Sequence, residues 1–357
     1  MRAIALLNLG GGALARGASA PVEVEAALRE AGIDASVREI PSGRLSSAAR
    51  EAAAAGVDLV IAGGGDGTVG TVAGALAGSD AVLGVLPLGT FNHFARDLGM
   101  PPDLKEAARA LATAQTCALD LAEVNGHRFV NNSALGFYPE VVKERAEPRI
   151  RTRLRKALVS LAAAARVVGH YRLSRVTLEV EGERVSTRTP FVFVSNNPAE
   201  MQLFRFGQRD RLDGGKLFVY VHHGTSHLAV LHTIVAAIFG DIRTAGRFDQ
   251  WSTDAIDVEY RHRRPVPVFL DGELLYLQPP LAYRMLAGRL RVAVPQAVAE
   301  AAYGSGGSVA ATGTDGDRAA TTATTPATVR RLPSSASGVT RSPSSDTPSA
   351  MATKTAS

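Results

Sequence analysis

The sequence predicts an α/β protein in which an N-terminal doubly wound domain on a parallel sheet precedes a C-terminal, mainly antiparallel β domain and a disordered tail. Three observations predict it. From residue 3 to about 115, short unbroken apolar runs alternate with helical stretches, the pattern of a parallel sheet covered on both faces. Beyond residue 117 the runs alternate with a period of two around turn pairs such as Asn125-Gly126. From Tyr303 to Ser357, 41 of 55 residues are Ser, Thr, Ala, Gly or Pro, too little apolar material to offset the entropy of ordering.

The N-terminal elements follow in order. Ala3–Leu7 reads as a strand and Val22–Ala31 as a helix; Ala35–Ile40 and Leu45–Ala55 repeat the pair. Val57–Ala62 and Thr68–Ala77 come next, then Ala81–Leu86 with helices over Phe91–Leu98 and Leu104–Ala114. The second domain takes strands at Leu119–Val124, His127–Asn131, Val176–Val180, Arg184–Thr187, Phe191–Ser195, Lys216–Val221, Ile256–Tyr260, Val266–Leu270, Leu274–Leu277 and Leu290–Val294. Helices are expected over Arg151–Val168 and Ser226–Phe239. The domain boundaries drawn from these shifts are 1–118, 119–302 and 303–357, with the last segment of the second domain free to pack back on the first.

The chain has 357 residues, 46% hydrophobic and 20% charged, ample for two cores. The net charge of +5 is unevenly spread. Between Lys143 and Arg175, ten Lys/Arg face only Glu144 and Glu147, a local +8 on a body otherwise mildly acidic. Such an island suits a phosphate-bearing partner, and a basic amphipathic helix can rest on anionic headgroups. The one cysteine, Cys117, excludes an internal disulfide. The start of the chain has an apolar stretch resembling a secretory signal, but Gly10-Gly11-Gly12 interrupt it and a buried strand explains it better. No stretch reaches the roughly 18 apolar residues of a membrane span. His223, His227 and His232 include a four-residue spacing, yet neither an acidic partner nor an H-E-x-x-H motif accompanies them.

Chemistry concentrates after the third strand. Gly63-Gly64-Gly65-Asp66-Gly67-Thr68 joins it to a helix, so backbone N–H groups and a positive helix end converge where an anion could sit. Asp66 would repel a bare phosphate, which implies a cation between them. The same residues also satisfy G-x-G-x-x-G, but no carboxylate ends the next strand, as dinucleotide binding requires.

A second loop, Leu86-Pro-Leu-Gly-Thr-Phe-Asn-His-Phe-Ala-Arg-Asp-Leu-Gly99, follows about twenty residues later. Together with Leu119-Asp120-Leu121, Phe129-Val-Asn-Asn-Ser133, Gly136-Phe137, Arg211–Leu217 and Asp271-Gly272-Glu273, these loops make residues 3 to about 295 resemble the diacylglycerol kinase catalytic family, which includes the sphingosine and ceramide kinases. The resemblance implies transfer of the ATP γ-phosphoryl group to a lipid hydroxyl, with Mg²⁺, between a nucleotide domain and a β-sandwich lipid domain. By that resemblance, Asn8, Gly10, Gly11, Gly12, Gly64, Gly65, Asp66, Gly67, Thr68 and Thr90 would contact the nucleotide. Asp66, Asp120 and Asp213 would hold or orient metal, and Glu273 would act as general base. On sequence alone Glu273 could equally be a turn residue, since Asp271-Gly272 is also a hairpin signal.

Three departures stand out. Gly70 and Thr71 replace the Asn and Glu of many relatives, Leu9 replaces a Pro, and Asp213 lies one position early for a second metal site. The implied partners are a lipid substrate and an anionic membrane surface rather than nucleic acid, with a homodimer allowed, and the implied place is cytoplasmic and peripheral to the membrane. The alternatives are a kinase for a soluble substrate, like the NAD kinases, and a nucleotide-binding regulator without turnover.

Overall fold

The computed structural model describes residues 2–8, 21–136, 174–180, 182–198, 209, 211–222 and 248–303. The helices expected over Arg151–Val168 and Ser226–Phe239, the tail after Tyr303, Gly10–Gly12 and His223, His227 and His232 lie outside them, as does the basic island apart from Arg175.

The first half alternates β1 (Ala3–Leu7), α1 (Pro21–Glu30), β2 (Ala35–Glu39), α2 (Leu45–Ala54), β3 (Leu59–Gly64), α3 (Asp66–Leu76) and β4 (Val82–Pro87). The strands pair in parallel in the order β2-β1-β3-β4. The chain thus moves outward from β1 to β2 and then reverses past β1 to β3. With right-handed crossovers this reversal puts α1 on one face and α2 and α3 on the other. Burial on both faces makes β3 apolar throughout, with all six of its residues buried. After β4 come the single turn α4 (His93–Asp97) and α5 (Leu104–Ala112), whose N-cap Asp103 accepts from the Lys105 and Glu106 N–H groups.

Then the architecture changes. β5 (Gln115–Val124) and β6 (His127–Phe129) form a hairpin about Asn125-Gly126, both at positive φ as a two-residue turn requires. β7 (Asn132–Gly136), β8 (Ser174–Val180), β9 (Glu183–Thr189), β10 (Phe191–Asn196), β11 (Leu217–His222), β12 (Phe248–Thr253), β13 (Ala255–Tyr260), β14 (Val266–Leu270), β15 (Glu273–Leu277), β16 (Leu281–Val294) and α6 (Gln296–Tyr303) complete it. A six-stranded antiparallel sheet, β12-β11-β10-β7-β14-β15, faces the antiparallel end of the first sheet. Their inner residues, among them Leu135, Val192, Val219, Trp251 and Val268 on one side and Val176, Leu178, Val258 and Tyr283 on the other, form a core of their own. β8 shows how: Val176, Leu178 and Val180 alternate inward.

Where the elements differ from expectation, tertiary contacts are the reason. β16 is 14 residues long rather than the short strand expected at Leu290–Val294. Its start pairs with β13 and β5, a register shift between Leu286 and Leu290 bends it, and its end reaches β4. One strand therefore belongs to the sandwich and to the nucleotide-type sheet. The strand expected over His127–Asn131 breaks at Val130-Asn131, because the Asp271 carboxylate captures the N–H groups there.

The two glycine loops interlock at the carboxyl ends of β3 and β4. A Cβ on Gly89 would lie 2.3 Å from the Gly65 Cα and 2.5 Å from the Asn92 Oδ1. Asn92 closes its own loop, accepting from the Gly89 N–H and donating to the Pro87 and Gly89 carbonyls. Gly89→Ala should therefore destabilise the protein by about 1–3 kcal/mol through overpacking against backbone that cannot yield, measured by urea unfolding; a neutral substitution would show that the loops separate freely.

Candidate functional site

β3 delivers the chain to Gly65, the N-cap of α3, and Asp66 begins the helix. The Val69 N–H already donates to the Gly65 carbonyl, which leaves the amides of the first turn for an anion. Thr68 is buried and its Oγ1 accepts from the Asn8 Nδ2, while the Ser42 hydroxyl donates to the Asn8 Oδ1. Asn8 thus joins the end of β1 to the glycine loop. A Cβ on Gly64 would stand 2.5 Å from the Thr68 Oγ1, so this loop admits no larger residue. Thr90 is exposed on the neighbouring loop.

Asp66 faces that second loop: its Oδ1 accepts from the Phe94 N–H at 3.3 Å. His93 lies beside it, its pKa lowered by burial against the opposing pull of Asp66 and Asp97. No group of three or more His, Cys, Asp or Glu side chains forms a metal cage among the described residues. A single carboxylate next to a phosphate-type loop suits Mg²⁺ held chiefly by the nucleotide's own oxygens and water. Asp66 fits that donor set.

The other two expected metal ligands are differently engaged. Asp120 is buried; its Oδ2 accepts from Asn197 Nδ2 and the Gly215 N–H, and its Oδ1 from the Gly288 N–H at 2.8 Å. None of these partners belongs to the glycine loop, so Asp120 fastens three segments of the second domain. Asp213 forms a two-pronged pair with Arg211, at 2.9 and 2.8 Å, which occupies both oxygens. The early position of Asp213 in the sequence is matched by this local pairing.

Glu273 is brought to the glycine loop by the β14–β15 hairpin, whose turn is Asp271-Gly272. Its Oε1 lies 3.0 Å from the position a Cβ would take on Gly67. The side chain is exposed at the mouth of a groove, yet α3 removes enough water to raise its pKa above the ordinary glutamate value. The turn at Asp271-Gly272 is what carries the Glu273 carboxylate across to the first turn of α3.

Asp271 was legible as a turn residue within the Asp271-Gly272-Glu273 motif, and the structure gives it more. It is buried, its φ is +44°, and its carboxylate accepts from the N–H groups of Val130, Asn131 and Asn132 at 2.6, 2.8 and 3.1 Å. Burial pushes its pKa up to about 6 against these donors and Arg209. It also accounts for the departure at Gly70: a Cβ there would meet the Asp271 Oδ2 at 2.9 Å. Glycine at 70 lets the hairpin seat on α3. Thr71 turns its hydroxyl back to the Gly67 carbonyl.

Arg209, which no motif announces, locks the assembly. Buried, it donates from Nε to Asp97 Oδ2 at 2.6 Å, from Nη1 to the Val130 and Asn196 carbonyls, and from Nη2 to Asn131 Oδ1. The only sequence signal was indirect, in Asp97 ending the second loop and in the Asn131-Asn132 and Asn196-Asn197 pairs.

Comparison with known proteins agrees with this geometry. The family model of the diacylglycerol kinase catalytic domain matches residues 2–124. Over these residues the chain is similar to that family. The resemblance first read from the two glycine loops is thereby borne out for the nucleotide-type half. The chain is 41% identical over 138 residues to a "Probable lipid kinase YegS-like" of Klebsiella pneumoniae (strain 342), covering 37% of this chain and 46% of that protein. It is 44% identical over 125 residues to a protein of the same name from Pseudomonas aeruginosa, covering 34% and 41%. The chain thus spans less than half the length of these relatives. The fold extends further: the crystal structure of a diacylglycerol kinase from Bacillus anthracis str. Sterne superposes with a TM-score of 0.60 at 23% identity, over 83% of this chain and 98% of that one. An α/β domain followed by an antiparallel sheet is therefore a fold the two share.

Replacing Arg209 by Met should cost about 3–5 kcal/mol, because it strands Asp97 in the interior. Asp97→Asn in the same chain should restore part of that loss; urea unfolding of both variants is the check, and a mild effect of the single change would mean that the pair does not hold the domains.

Proposed function

We propose that the protein is an ATP- and Mg²⁺-dependent lipid kinase that transfers the γ-phosphoryl group to a hydroxyl of diacylglycerol or a related lipid. The observation that carries the reading is the placement of Glu273, a carboxylate of the second domain with raised pKa, against Gly67 in the phosphate-type loop of the first. An acceptor between the two would have its proton acceptor on one side and the phosphoryl donor on the other.

Phosphoryl transfer needs alignment and charge neutralisation more than covalent help. The amides at the start of α3 and in the Gly89 loop would bind the phosphates, and Asn8 and Thr68 brace the cradle. Mg²⁺, when bound, would neutralise charge on the phosphates, with Asp66 as its protein carboxylate. Glu273 takes the proton of the lipid hydroxyl as that oxygen bonds to the γ-phosphorus and the bond to the bridging oxygen of ADP breaks. Gly67 and Gly70 keep α3 bare where Glu273 and Asp271 approach.

The site of action we propose is the cytoplasmic face of an anionic membrane. No helix among the described residues is long and apolar enough to cross a bilayer. The +8 of Lys143–Arg175 supplies the attraction. Co-sedimentation with vesicles containing phosphatidylglycerol should fall steeply as salt rises, whereas purely zwitterionic vesicles should bind little at any salt. Equal binding to both would exclude the electrostatic contact.

Glu273→Gln should lower kcat by about 10²–10⁴ on a panel of lipids in mixed micelles while leaving the KM for ATP nearly unchanged. In the unaltered protein the acid limb of kcat/KM should lie above the ordinary glutamate range, because a base with a raised pKa is lost to protonation sooner as pH falls. Full activity in the variant would remove Glu273 from the mechanism.

A further inference from the structure

At one end of the β-sandwich a row of arginines crosses the outer face of a sheet. Arg175 on β8 lies directly opposite Arg188 on β9, and Arg261 follows Tyr260, the β13 residue paired with Val176. The connection from β13 to β14 then adds Arg263 and Arg264 beside His262. All five arginines are exposed, and among the described residues none of their side chains has a hydrogen bond or ion pair. We infer that this rim is the surface that rests on the anionic bilayer, its guanidinium groups meeting lipid phosphates. The inference rests on the membrane reading above and uses nothing of the transfer chemistry.

A purely structural purpose does not account for the row. Like charges directly opposite one another destabilise an antiparallel pair. Elsewhere in the same sheet charges are matched: Arg184 meets Glu179 and Glu259 at 3.6 and 2.7 Å, and Arg284 meets Asp257 at 2.6 Å. Those pairs engage the nearby carboxylates and leave the rim unneutralised. Charge that guards a sheet edge belongs on the outermost strand, here β9. Arg175 lies one strand further in, and Arg261, Arg263 and Arg264 lie beyond the end of β13.

Three further observations favour a bilayer as the partner. Arg175 is the last residue of the +8 segment Lys143–Arg175, so the strongest charge run of the sequence enters the fold at this rim. Tyr276 stands at the same end, opposite Pro267 just after the arginine connection, and is 65% exposed. Such a ring suits the boundary between head groups and acyl chains, where its hydroxyl stays wet. The third observation is the course of the groove that starts at Glu273. Its wall reaches Gly126 and Arg128 of the β5–β6 hairpin. Asn125 of that hairpin donates to the Gln278 and Pro280 carbonyls, and the Gln278 side chain donates to the Arg263 carbonyl. A bilayer against the rim therefore faces the far end of the groove, about the length of the five-residue β15, roughly 16 Å, from Glu273.

Flotation of the full chain with vesicles of phosphatidylglycerol and phosphatidylcholine at about 0.1 M salt tests the rim. Replacing Arg261, Arg263 and Arg264 together by Ala should lower the partition coefficient at least about tenfold, and replacing the same three by Lys should keep most of it. Arg188→Thr should weaken binding severalfold while its urea midpoint at low salt equals or exceeds that of the unaltered protein, because a like-charge pair is removed. A lower midpoint would give the row a structural role and overturn the inference. Variants that bind vesicles as well as the unaltered protein would overturn the rim and leave the membrane reading to the rest of the basic segment. No binding by the unaltered protein would overturn that reading and the rim with it. Rim-dependent binding of single-stranded RNA without binding of vesicles would assign the surface to nucleic acid and overturn the proposal.

Discussion

The contact on which the rest of the structure depends is the buried pairing of Arg209 with Asp97. Asp97 ends α4, the helical turn within the second glycine-bearing loop of the first domain, and Arg209 also grips the Val130 and Asn196 carbonyls and the Asn131 side chain of the second. A guanidinium so far from water is tolerable only because its donors meet oxygen acceptors. The pairing therefore fixes the relative placement of two domains whose apolar cores are separate. Asp271 continues the chain of contacts, holding the Val130–Asn132 turn from the other side and bringing the hairpin that bears Glu273.

β16 supplies the covalent counterpart. It pairs with β13 and β5 at its start and touches β4 at its end, so the sandwich cannot rotate away from the parallel sheet without breaking a strand. The hairpin seats on α3, whose Gly67, Gly70 and Gly74 form a bare face at a spacing of three and four. Side chains there would push out Glu273, Asp271 and Arg128 respectively, at 3.0, 2.9 and 3.2 Å from the missing Cβ atoms. The helix serves two purposes with one sequence: its N-terminus offers amides to an anion, and its glycine face admits the carboxylate that would accept the proton.

Charge is divided along the same geometry. Asp66 stands alone at the start of α3, suited to a cation that arrives with phosphate, whereas Asp120 and Asp213 are satisfied by the protein itself. Three aspartates that look alike in a motif thus differ in what surrounds them. Only Asp66 of the three stands beside the glycine loop.

The sequence by itself determined the fold class, the two loops, their family resemblance and the turn at Asp271-Gly272, because apolar periodicity, glycine and turn pairs are local signals. It also marked Gly70 as unusual. Only the tertiary structure decided what Gly70 is for, that β16 spans both sheets, that Asp120 is a fastener, and that Arg209 joins the domains. Each of those depends on residues at least 75 positions apart in the chain meeting in space, and no local pattern encodes such a meeting. Hydrogen-bond satisfaction and close packing select it when the chain folds.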